Sequence, residues 1–221
     1  MLTADEIHAA VLAPESSLNK HYWTLFSMAL GVHAQSVFEF GAGGSSAVLL
    51  TALELTGGRL TSCDTEPLAS LAARLPAIGR IQASSRWTYC QGRSQAVLAD
   101  RNVPPAFDLA LHDGSHERAE VADDVAEILP RLKQFGLLLV HDVEQFELGE
   151  VMRSAVMEGI VRAGLRVSMT SLPYSDGLAI IRMESERPHG TVRSPWCKST
   201  TRPPVLCALP WKVTDSNSLF R

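Results

Sequence analysis

The chain has few cysteines, and none in a metal-binding arrangement. Cys63, Cys90, Cys197 and Cys207 form no C-x-x-C pair and no Cys/His ligand spacing, which leaves reduced thiols as the default. It also lacks an excess of positive charge. Its 20 basic residues against 24 acidic ones give −4, which argues against a nucleic-acid partner held by bulk charge. No long apolar run is present, and the stretch Gly136–Val140 is far short of a membrane span. Asp5 and Glu6 stand where a signal peptide needs positive charge followed by an apolar run. No internal repeat is visible. A composition 46% hydrophobic and 20% charged excludes wholesale disorder. These absences lead to the expectation of a soluble, cytoplasmic protein without a membrane or nucleic-acid partner. Its 221 residues suit one domain with appendages, large enough to fold without a disulfide.

What is present is an alternation of helix and strand patterns. Thr3-Ala-Asp-Glu6 reads as a capping box opening a helix that ends near Pro14. Leu18, Tyr22, Leu25, Phe26 and Ala29 recur at helical spacing before Gly31. Strands are predicted at Ser36–Phe40, Leu60–Cys63, Trp87–Cys90, Asp108–His112 and Gly136–Val140, with helices between them. Val121, Val125, Ile128, Leu129 and Leu132 form the clearest amphipathic stripe, and Asp123 and Asp124 read as its solvated face. Arg166–Ser171 and Leu178–Met183, joined by a turn too short for a crossover helix, predict an antiparallel pair. The fold class is therefore α/β, a doubly wound, mostly parallel seven-stranded sheet whose last strand runs the other way. N-terminal helices occupy 1–34 and the main domain 35–183. A Pro-rich tail at 184–221 carries Trp196 and Trp211 and is a candidate homo-oligomer contact.

Ligands in such a sheet bind beyond the carboxyl ends of the strands, at the switch point. Here that point is the loop Glu39-Phe-Gly-Ala-Gly-Gly-Ser-Ser46, where Gly41 and Gly43 permit a tight turn and close approach to a ligand. Asp64 ends the second strand, where an acid accepts hydrogen bonds from ribose hydroxyls. A dinucleotide site fits less well, because the third glycine of G-x-G-x-x-G falls on Ser46.

With these residues the sequence resembles the class I S-adenosylmethionine-dependent methyltransferases. V-F-E-F-G-A-G-G-S-S matches the first motif, L-T-S-C-D the second and Y-C-Q-G-R-S the third. F-D-L-A-L-H-D-G and G-L-L-L-V-H-D match the fourth and fifth, so the likeness spans about residues 20 to 183. The resemblance implies a Rossmann-like methyltransferase fold and S-adenosylmethionine as cofactor. Glu39, Gly41 and Gly43 would line its methionine part, with Ser45 in the same set. Asp64 would hold the ribose, and Gly92, Arg93 and Ser94 would edge the adenine. Ser94 departs from the acid common at that place.

Asp113-Gly-Ser-His116 and His141-Asp142 follow neighbouring strands, roughly 4.8 Å apart, so two carboxylates there can share one cation. D-G-S-H with a later H-D is similar to the group of macrocin O-methyltransferases and cephalosporin-hydroxylase-like proteins. That likeness implies a magnesium ion on Asp113 and Asp142, Asp113 also touching the cofactor, and His116 as the base acting on the hydroxyl of a small-molecule acceptor. His141 is the weaker ligand, because neighbouring strand residues point to opposite faces. Tyr22 and Trp23 are candidates to flank the pocket. Two other readings stay open: a non-catalytic cofactor-binding or assembly protein of this fold, and a dinucleotide-dependent oxidoreductase.

Overall fold

Residues 2–14, 18–145 and 147–184 are described by the computed structural model of the chain. The Pro-rich stretch from 185 onward, and with it the expected oligomer contact, lies outside the described residues.

Seven strands form one sheet: β1 (Ser36–Phe40), β2 (Arg59–Asp64), β3 (Trp87–Gln91), β4 (Phe107–His112), β5 (Leu132–His141), β6 (Val167–Leu172) and β7 (Leu178–Met183). Their order is β3-β2-β1-β4-β5-β7-β6, with β1 to β5 parallel and β7 antiparallel to both its neighbours. The helices are α1 (Ala4–Leu12), α2 (Tyr22–Gly31), α3 (Gly44–Thr56), α4 (Leu68–Arg74), α5 (Pro76–Ile81), α6 (Ser94–Leu98), α7 (Arg118–Ile128) and α8 (Gly149–Ala163). This is the doubly wound sheet expected of the sequence. Among the described residues no helix is long and apolar enough to cross a membrane.

Successive strand residues point to opposite faces, and here both faces are buried. Phe38 and Phe40 of β1, Ala110 of β4 and Leu138 and Val140 of β5 pack with Val121, Val125 and Ile128 of α7 and Val156 of α8. Val37, Leu109, Leu111, Leu137 and Leu139 face the other way, against Leu25 and Ala29 of α2 and Val48, Leu49 and Leu53 of α3. Glu39 alternates with Phe38 and Phe40, so it falls on the α3 side. His112 follows Leu111 and falls on the α7 side.

The N-terminal capping box forms: Thr3 Oγ1 accepts the Glu6 N–H at 3.2 Å, and Glu6 Oε2 accepts the Thr3 N–H at 2.8 Å. After α4, Pro76 opens a second short helix, α5, which buries Ile78 and Ile81. A proline is tolerated at the first helical position because that N–H has no partner there anyway. Leu132, expected on the α7 stripe, starts β5 instead and pairs with Phe107. Pro130 closes the helix in a 3₁₀ turn, and β5 then shifts register where Phe135 takes φ +65°.

Candidate active site

The loop after β1 turns at Gly41 with φ +82°, where a Cβ would lie 2.3 Å from the carbonyl oxygen of Asp113. A side chain there would meet both strain and a backbone clash, so glycine is required by the approach of the β1 and β4 loops. The Asp113 N–H donates to Phe40 O at 3.0 Å, locking the two loops together. Gly44 opens α3 beneath Tyr22, whose hydroxyl would lie 2.1 Å from a Cβ at that position. Burial, with the nearby charges of Asp113 and Glu39, pushes the Tyr22 hydroxyl up to about 12. Trp23 packs edge-on against Phe26 at 5.9 Å.

A cleft of about 490 Å³ opens at the carboxyl ends of the strands. Gly41, Gly43, Asp64, Gly92, Arg93, Ser94 and Asp113 all line it. Asp64 accepts the Ala42 N–H at 3.2 Å on Oδ2 and the Glu66 N–H at 2.9 Å on Oδ1, which leaves acceptor capacity on both oxygens. Glu39 and Ser45 stand apart from this lining. Glu39 is fully buried, and its carboxylate accepts from Ser45 Oγ at 2.7 Å and from Ser46 Oγ and Ser62 Oγ at 2.6 Å each. Strand alternation sets it under the first turn of α3, where it ties that turn to β1 and β2. Burial raises its pKa to about 7 against the pull of the three hydroxyls.

The other end of the cleft meets a cluster of titratable groups. Asp113, His141 and Asp142 place one ligand atom each within 4.8 Å of one another. His141 Nδ1 lies 3.1 Å from both Asp113 Oδ1 and Asp142 Oδ1. His141 therefore joins the carboxylates, against the expectation from alternation. The reason is local: Asp142 adopts φ +63°, so the two-residue period ends at His141 and both side chains converge on Asp113. His116 Nε2 sits 2.7 Å from Asp142 Oδ2 with its side chain about half exposed.

Charge is shared tightly here. Burial alone would depress His141, but the carboxylates of Asp113 and Asp142 beside its Nδ1 outweigh that and lift it to about 9. Burial would raise Asp142, yet His116 and His141 hold its carboxyl well below the usual range. The hydrogen bond that His116 donates to Asp142 raises His116, against a smaller opposing effect of burial. Asp142 Oδ1 and His141 Nε2 are buried without a hydrogen-bond partner. Two carboxylates and an imidazole with spare buried donor atoms suit a divalent cation. Behind them His21 is fully buried, stacked on Tyr174 at 4.5 Å and edge-on to His141 at 5.7 Å.

Asp124 escapes the sequence reading. Asp123 is half-buried, with its side chain reaching solvent and paired with Arg162 at 2.6 Å, as expected of a solvated face. Asp124 is instead 4% exposed, lines the cleft, and bonds Ser94, Gln95 and His112. A signal was available: Val121, Asp124, Val125 and Ile128 fall at i, i+3, i+4 and i+7, which places the acid on the apolar stripe.

Residues 38–143 match the family model described as a methyltransferase domain. No curated protein sequence matches the chain. Among solved structures, the O-methyltransferase TomG from Streptomyces achromogenes, in complex with S-adenosylmethionine, is similar at 19% identity. Its TM-score is 0.61, over 81% of this chain and 86% of that one. An O-methyltransferase from Bacillus cereus bound to S-adenosylhomocysteine is 20% identical, with TM-score 0.60 over 80% and 87% of the two chains. A Podospora anserina methyltransferase, also bound to S-adenosylhomocysteine, is 18% identical, with TM-score 0.60 over 79% and 84%.

Proposed function

We propose that the chain, whose residues 38–143 match a methyltransferase-domain family model, is a class I S-adenosylmethionine-dependent methyltransferase that moves the methyl of S-adenosylmethionine to a hydroxyl oxygen of a small molecule in the cytoplasm. One observation carries the choice of oxygen: Asp113 belongs both to the cleft lining and to the cluster with His141 and Asp142. A group able to activate a hydroxyl therefore adjoins the cofactor cleft. The similar structures from Streptomyces achromogenes and Bacillus cereus are O-methyltransferases, which supports the same reading.

The cofactor brings an already activated methyl, and a divalent cation on Asp113, His141 and Asp142 would bring a Lewis acid that lowers the hydroxyl's pKa. The chain must then align the acceptor oxygen and remove its proton. Asp64 and the loop Gly41–Gly43 hold the cofactor at one side of Asp113. His116 donates its Nε2–H to Asp142 Oδ2 at 2.7 Å, which leaves Nδ1 as the proton acceptor. Asp142 orients that ring and stabilises the imidazolium that forms, as an acid does behind a catalytic histidine. Magnesium is the ion implied by the sequence likeness, and the imidazole in the donor set extends the choice to manganese.

A second reading of the activation step has its own observation. His141 Nδ1 stands 3.1 Å from both carboxylates, so an imidazolium can supply the positive charge there without an ion. Turnover of an accepted phenol or sugar, measured with and without excess chelator, separates the two. Loss of activity on chelation, restored by magnesium or manganese, supports the metal. Full activity in chelator selects the metal-free form. In either case His116→Ala should lower turnover by 10²-fold or more, the usual contribution of a general base. Wild-type turnover by His116→Ala would remove the base from the mechanism.

A further inference from the structure

We propose that Asp124 reads the base of the cofactor, accepting a hydrogen bond from the exocyclic amino group of adenine, so that the cleft selects adenosyl over 6-oxopurine ligands. The inference rests on the reading of the cleft as an S-adenosylmethionine site and assigns a specificity determinant within it.

Asp124 is 4% exposed, yet it belongs to the wall of the cleft. Two of its partners, Ser94 and Gln95, follow β3, on the far side of β2 and β1 from the β4–β5 cluster, and the third, His112, ends β4. A buried carboxylate is costly unless its acceptor sites are filled. Oδ1 takes the Ser94 hydroxyl and the Gln95 amide, the latter at 3.1 Å, and Oδ2 takes the Nε2–H of His112 at 3.1 Å. An ionised carboxylate offers about four acceptor sites. Three are filled by the chain, all from residues that fix the group in place, and no lysine or arginine is paired with it among the described residues. The fourth site, on Oδ2, is left for a donor that arrives in the cleft.

The chemistry of that donor is constrained. Asp64 is placed for the ribose, and Asp113 with its neighbours for the reacting end, so the purine falls beside Gly92, Ser94 and Asp124. Adenine presents an amino group at carbon 6, which gives a hydrogen to a carboxylate. A 6-oxopurine presents a carbonyl oxygen there, which meets the carboxylate lone pair for lone pair. The deaminated ligand also leaves the buried acceptor unpaired, and sites built to bond a substrate N–H discriminate strongly on that ground.

The test compares S-adenosylhomocysteine with S-inosylhomocysteine by calorimetry on the full chain, for wild type and Asp124→Asn. Wild type should bind the adenosyl ligand at least about 100-fold more tightly. Asp124→Asn places an amide that can donate to the carbonyl, so the adenosyl ligand should weaken about tenfold and the ratio fall below about fivefold. A merely structural role for Asp124 would weaken both ligands alike and leave the ratio unchanged, which overturns the proposal. Should the variant fail to fold, wild type alone decides: equal binding of the two ligands, within about threefold, also overturns it. Absence of any binding of S-adenosylhomocysteine by wild type is a different failure, that of the S-adenosylmethionine site itself.

Discussion

Glu39 offers a quantitative test of how the cofactor loop is built. It is fully buried, and burial lifts its pKa to about 7 from the ordinary 4.5. An acid whose folded pKa is raised keeps its proton longer in the native state, so the native state binds more protons than the unfolded chain between those two values. Stability must therefore fall as pH rises from 4.5 through 7, and the full penalty remains above that. Between pH 5 and pH 8 the loss attributable to this one group is about 2.5 kcal/mol, taking roughly 1.36 kcal/mol for each pKa unit. Glu39→Gln removes the titration while keeping shape and one acceptor, although the amide hydrogens meet hydroxyls that now point the wrong way. That mismatch costs about 1–2 kcal/mol at every pH and does not slope. Urea unfolding at pH 5 and pH 8 suits the measurement, since both lie away from the sequence pI of about 6.0. The difference in stability between wild type and variant should shift by about 2–3 kcal/mol in favour of the variant as pH rises. Other titrating groups cancel in that difference. A difference constant to within about 0.5 kcal/mol would refute the buried, internally bonded Glu39. Because the carboxylate stands apart from the cleft lining, the variant should also keep most of its affinity for S-adenosylhomocysteine.

Two further outcomes follow from backbone and charge. Gly41→Ala should destabilise the fold by about 3 kcal/mol or more, because φ +82° and the Asp113 carbonyl at 2.3 Å act together. Gly57→Ala, with φ +81° but open space around it, should cost only about 1 kcal/mol, and equal losses in thermal melts would contradict the close approach. His141 carries a proton up to about pH 9, so in chelator its contribution to stability is full below 6.5 and is lost as pH rises through 9. A divalent cation has to displace that proton. Manganese titrations at pH 7.5 in two buffers of different ionisation enthalpy should show about one proton released, and no release would exclude His141 as a ligand.

Legibility in the sequence followed how local each determinant is. The bounds of β1 and β7, Ser36–Phe40 and Leu178–Met183, can be read from the sequence because turn residues flank short apolar runs there. The glycine loop and Asp64 were legible because close backbone approach and a strand-end acid leave residue types that few other needs explain. The apolar character of Leu132 suits a helix stripe and a strand equally, and only Pro130 and the shift in β5 decide. The place of His141 cannot be read from alternation, because the positive φ of Asp142, which breaks it, has no residue-type signature at an aspartate. The role of Glu39 depends on three serines from α3 and β2, and that of Asp124 on Ser94 and Gln95, 30 and 29 residues before it. Such long-range pairings are not written in the local pattern. For Asp124 the helical spacing still pointed inward, and its charge argued the other way.

Calorimetric titration of the full chain with S-adenosylhomocysteine, run beside NADH and repeated on Asp64→Ala, tests the methyltransferase reading most directly. The expected result is binding of S-adenosylhomocysteine, weakened by about 1–3 kcal/mol in the variant as a charged acceptor for the ribose is lost, and no heat from NADH. Binding of NADH with no response to S-adenosylhomocysteine would contradict it.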